Sequence, residues 1–207
     1  MMRSIRALGM AAALLFVAGA TASTVAPRNL VHLIDDAQDI VVGSVTSVTY
    51  GVDAKGVPYT EVTLAVGETL RGAQGETMSF RQFGLLAPRV LPNGKTLYAV
   101  RPPGWPQYTT GERVMLFLTP PASQTGLRTT VGLEQGKFAI TNNVLRSAAT
   151  EGALFDGVDV TASMLTTQER ALVDSPSAQY DANAFIAFLR RAVSQRWVET
   201  GSLRHAP

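Results

Sequence analysis

The chain has 207 residues, 46% of them hydrophobic, with a formal net charge of +2 and no cysteine. That length and apolar content suffice for a packed core, while the missing thiols exclude disulfides, thiol nucleophiles, Cys-based zinc sites and iron–sulfur ligation. Only His32 and His205 are present, so a site built on two or three imidazoles has almost nothing to draw on and a metal would need carboxylates alone.

Residues 1–22 open with Arg3 and Arg6, continue as the apolar block GMAAALLFVAGA and end on small residues, where Ala20 and Ala22 form an A-x-A cleavage signal. We read a secretory signal peptide, with a mature chain from Ser23 that forms one domain over 23–207, periplasmic or extracellular. The block is well short of the roughly 20 residues that span a bilayer, and no transmembrane segment is expected after cleavage. Without Arg3 and Arg6 the two signs of charge balance, and the basic residues are scattered along the chain, so no nucleic-acid partner is expected.

From Gln38 the pattern alternates with period two. In DIVVGSVTSVTY the first half is apolar on both sides, as in a strand buried on both faces, and Gly43 marks a bulge or bend. GVDAKGVP supplies turn residues, and YTEVTLAVGETL follows with Val62, Leu64, Val66 and Leu70 on one face. TMSFRQF reads as a third strand. Residues 84–110 break the rhythm with five prolines and three glycines among Leu, Tyr and Trp; so apolar a stretch without a period reads as a functional or packing loop rather than a linker. RVMLFLT resumes as a strand with Val114, Leu116 and Leu118 facing one way and Met115 and Phe117 the other. LRTTVGL and KFAI look like a further pair joined at EQG, with Glu134 and Lys137 as a surface ion pair worth at most about 1 kcal/mol.

Helical signals lie in the C-terminal segment, about 166–200. Thr166 and Glu169 have capping-box spacing, and Asp181 is the predicted N-cap of ANAFIAFLRRAVSQRW, whose apolar lines are Phe185, Leu189 and Ala192 beside Ile186, Val193 and Trp197. The element order predicts a mainly β fold, a small antiparallel barrel or sandwich with a C-terminal α-helix.

No G-x-S-x-G elbow, P-loop, dinucleotide fingerprint, H-E-x-x-H or EF-hand loop occurs, and no catalytic residue, metal site or cofactor is assigned. His205 lies near a chain end of the kind that frays, and His32 reads as a partly buried or surface helix residue. Asp35, Asp36 and Asp39 lack the glycine and spacing of a calcium loop and read as the solvated end of a short helix. Glu61, Glu68, Glu76 and Glu112 are candidates for an acid–base pair, but no spacing fixes any two of them together. Tyr98, Trp105 and Tyr108 are the candidate binding residues, because such side chains cover large areas at low entropy cost.

Four segments, DDAQDIVVGSVTSV, VTLAVGETLRG, YTTGERVMLFL and VGLEQGKFAI, together resemble a group of uncharacterised exported bacterial proteins, and their order is similar to the netrin-like module and the tissue inhibitors of metalloproteinases. The resemblance implies a five-stranded oligonucleotide/oligosaccharide-binding (OB-like) barrel with extra C-terminal helical structure, and a rim role for Gly111 and Glu112. In the inhibitors an N-terminal Cys engages the protease zinc. Ser23 stands at the expected mature N-terminus, so that mechanism does not carry over. The expected function is a non-enzymatic module for a protein or peptide partner, with a carboxylate-based secreted hydrolase or an envelope-associated structural protein as alternatives.

Overall fold

The computed structural model describes residues 26–147, 154–175 and 179–207; the expected signal peptide and Ser23 lie outside them. The described chain is mainly β, with three short helices. Helix α1 (Leu30–Asp36) is capped by Asn29, whose side chain accepts from the His32 amide at 3.3 Å while His32 Nδ1 accepts from the Asn29 amide at 3.4 Å. Strands β1 (Asp39–Val52), β2 (Pro58–Arg71) and β3 (Thr77–Phe83) follow as a meander. Asp53 sets the first turn, its carboxylate accepting from the amides of Lys55 and Val57 at 2.8 Å each.

A two-residue-per-strand hairpin, β4 (Arg89–Val90) and β5 (Thr96–Leu97), precedes β6 (Arg113–Leu118). Strands β7 (Lys137–Thr141) and β8 (Val144–Ser147) form a hairpin turned by Asn142 and Asn143, both at positive φ as such a two-residue turn requires. Then come β9 (Val158–Val160), α2 (Thr167–Val173), β10 (Gln179–Asp181), α3 (Ala182–Ser194) and β11 (Leu203–His205).

The large sheet has seven strands in the order β10-β8-β7-β6-β1-β2-β3, with every ladder antiparallel. The expected closed five-stranded barrel is not what these ladders form, since β3 and β10 are edges. The reason lies at 127–133, expected as a strand: among the described residues it joins no ladder, making an isolated bridge, Leu118 with Thr130, and a few backbone hydrogen bonds before Gly132 turns left-handed. Nor is EQG a hairpin turn. Leu133–Gly136 is a 3-10 turn, and KFAI pairs with β6 and β8 instead.

Alternation along the strands separates two cores. Ile40, Val42, Met115 and Phe117 face the helices, while Val41, Val45, Val62, Leu64, Val114, Leu116 and Leu118 face the other way. The register shift at Gly43 confirms the predicted bulge. Leu70 departs from its expected face and packs with the helical core, because β2 loses register against β1 beyond Val66. In the helical core Phe117, Phe138, Phe185, Phe188 and Trp197 make a chain of ring contacts at 5.6–6.5 Å centroid distance. Each such buried ring contributes about 1.5–3 kcal/mol relative to an exposed one.

Candidate functional site

The stretch Tyr108–Glu112 is a turn docked on the β1 bulge. Gly111 takes φ +90°, its amide donates to the Val45 carbonyl at 2.8 Å, and the Val45 amide donates to the Glu112 carbonyl at 2.9 Å. The Glu112 carboxylate accepts from the Thr109 amide at 2.9 Å and from Lys137 Nζ at 2.8 and 3.0 Å. Lys137 also donates to the Gln107 carbonyl and sits 4.7 Å from the centre of the Tyr108 ring. Thus the cation held by Glu112 is Lys137, and the expected ion pair of Lys137 with Glu134 does not form.

Tyr108 is only 9% exposed and meets Phe80 edge-on at 5.6 Å inside the second core. Burial, with the Glu112 charge second, pushes its phenol above the usual range, although the nearby Thr130 hydroxyl acts the other way. That hydroxyl donates to the Leu133 carbonyl, and the Tyr108 hydroxyl stays buried without a good hydrogen bond. Tyr108 is therefore a packing residue and not part of an accessible binding surface, which corrects the expectation for it. Trp105 is half-buried against Phe83 at 6.2 Å. Tyr98 alone of the three projects, at 74% exposure, so the structure does not bring the predicted aromatics together.

The 84–110 loop divides in two. Its downstream part is tied down by Gln82 Nε2 donating to the Pro106 carbonyl at 3.0 Å and by the Lys137 and Tyr108 contacts. Its upstream part is a lobe closed at the neck: Leu85 bridges Val100, the Leu85 amide donates to the Ala99 carbonyl at 2.8 Å, and the Arg101 amide returns to the Leu85 carbonyl at 3.1 Å. Gly84 makes the neck possible. At φ +101°, any Cβ there would lie 2.7 Å from the Arg101 Cα. Within the lobe, Leu86, Val90 and Val100 are exposed with Tyr98, Val90 to 69%; they escaped sequence reading because no period marks an outward aliphatic in a Pro- and Gly-rich loop.

Most of the acidic candidates are held in ion pairs. Glu61 binds Arg81 at 2.6 Å, Glu68 binds Arg190 at 2.7 Å, and Glu76 is exposed. Asp39, expected at a solvated helix end, is instead 3% exposed and holds Arg128 at 2.6 Å; Asp35 and Asp36 do lie in solvent. Neither histidine is isolated. His205 belongs to β11 rather than a frayed end, and its ring lies 4.3 Å from that of His32. Among the described residues no group of three or more His, Asp or Glu is placed to hold a metal, and no helix is long and apolar enough to cross a membrane. No family model matches the chain, and neither a curated protein nor a solved structure matches it.

Proposed function

We propose that the protein is an exported, non-enzymatic binding module that takes a protein or peptide partner through the lobe of the 84–110 loop and the adjacent rim. One observation carries this reading: of the five large hydrophobic side chains exposed among the described residues, Leu86, Val90, Tyr98 and Val100 are in this lobe, and Tyr50 is the fifth. An apolar group kept in water at such a density is a recognised mark of an interaction surface. The carboxylate-hydrolase alternative loses support because Glu61, Glu68 and Glu112 are each held by a different cation. Docking of α3 on a membrane loses support because Phe185, Ile186 and Leu189 are already buried. Affinity purification of the intact protein from its host, against Val90→Ser with Tyr98→Ala, tests the reading. Loss of a stoichiometric partner in the double variant is expected; an unchanged partner set, or turnover in a panel of glycans and peptides, would overturn it.

We infer further that β1, β2, β3, β6 and residues 127–131 wrap the second core as an OB-like barrel of the netrin-like kind. Support comes from backbone bonds that link β3 to β6 through this segment: Arg128 amide to Arg81 carbonyl at 2.8 Å, Thr119 amide to Thr129 carbonyl at 2.9 Å, and Val131 amide to Phe117 carbonyl at 2.8 Å. Hydrogen exchange decides it. The Arg128 and Val131 amides should exchange as slowly as those of β6, and rapid exchange would leave an open sheet.

A further inference from the structure

From Thr77 to Gly111 the sequence holds Arg81, Arg89, Lys95 and Arg101 but no Asp or Glu. Arg81 is neutralised by Glu61, whereas among the described residues none of Arg89, Lys95 and Arg101 enters an ion pair. These three cations sit on the same closed lobe as the exposed Leu86, Val90, Tyr98 and Val100. The rest of the sequence without Arg3 and Arg6 has a compensating acidic excess, so the lobe is a cationic island on a chain of balanced charge.

We propose that the lobe's occupant is an acidic segment of a partner protein in which carboxylates alternate with apolar side chains. The proposal rests on the binding reading above and names the partner's chemistry. Three unpaired cations around apolar side chains match carboxylates placed beside apolar groups, since complementary potentials fix partner choice. A lipid surface fits less well. The lobe's three cations fall short of the roughly four to eight that mark recognition of anionic lipid.

The test uses the intact protein and a fluorescein-labelled peptide of alternating Glu and Leu, with Lys–Leu and Ser–Leu peptides as controls, followed by fluorescence anisotropy at low and high salt. The Glu–Leu peptide should bind at least about ten-fold tighter than either control and weaken with salt. Arg89→Glu, Lys95→Glu and Arg101→Glu combined should remove that preference at unchanged melting temperature, and the exposed single variant Lys95→Glu should reduce it. Equal binding of the three peptides, or a preference that survives the triple variant, would overturn the proposal. If Val90→Ser with Tyr98→Ser abolishes binding while charge reversal does not, the acidic-partner inference fails and the lobe reading stands. If neither set changes binding, both fail. Binding to phosphatidylglycerol vesicles in the absence of Glu–Leu peptide binding would assign the lobe to a lipid surface and overturn it.

Discussion

Glu112 and Asp39 are both carboxylates beside apolar strand residues, yet they differ in what their removal leaves behind. Glu112→Gln keeps the acceptor for the Thr109 amide, and Lys137 retains the Gln107 carbonyl, so a loss of about 1–3 kcal/mol is expected by urea denaturation. Partner binding should be unchanged. Asp39→Ala strands a mostly buried Arg128 guanidinium, and the expected cost is larger, about 3–5 kcal/mol. A midpoint shift for Asp39→Ala no greater than that for Glu112→Gln would refute this ordering. The role of Glu112 at a turn was legible in TGER because Gly111 can take the positive φ of a tight turn just where the period-two apolar run begins. That of Asp39 was not. Its cation lies 89 residues away in sequence, and no local pattern reports such a partner.

Caps and alternation made most elements legible. The predicted N-cap of α3 is real, with Asp181 accepting from the Ala184 amide at 2.8 Å, as is the capping box of Thr166 and Glu169 on α2. The cap of α1 went unread because its N3 residue is His32 and not Glu or Gln. That choice gives α1 a pH response. Burial, followed by the charges of His205 and Arg28, lowers the His32 pKa from 6.5, against the raising effect of Asp36 and Asp35. A depressed histidine favours folding while neutral, so its contribution is intact above pH about 6.5 and shrinks as the unfolded chain takes up the proton first. The melting temperature should therefore fall as pH drops below that value. His32→Gln should flatten the fall, and an unchanged pH profile in this variant would exclude the mechanism. Glu169 acts lower on the scale. Burial alone would raise its pKa, but the Thr166 donors and Arg191 together hold it below 4.5, so its contribution is present above the carboxylate range and lost in acid. Trp197, fully buried at the end of the ring chain, should cost about 3–5 kcal/mol as Trp197→Ala in thermal or urea unfolding.

At the scale of the molecule, the mainly β class and the strands β1, β2, β3 and β6 were readable because period two survives wherever one face is core. Sheet order was not, since bulges break parity and the 127–131 segment reads as a strand yet joins no ladder. The candidate site was half legible. A long apolar loop announced itself, but which aromatics face outward depends on tertiary neighbours such as Phe80 and Lys137. Because the neck is closed by Leu85 with Ala99, Val100 and Arg101, replacing 86–98 with a short Gly-Ser connection should alter stability by no more than about 1 kcal/mol while abolishing partner binding. Unfolding of that variant would show the lobe to be part of the core. The neck beside Gly84 has an evolutionary consequence as well. A recognition surface encoded by one uninterrupted run of codons and tied off at its base is free to lengthen, shorten or change composition by small genetic steps. Descendants of such a gene would diverge in what they recognise well before they diverge in how they fold.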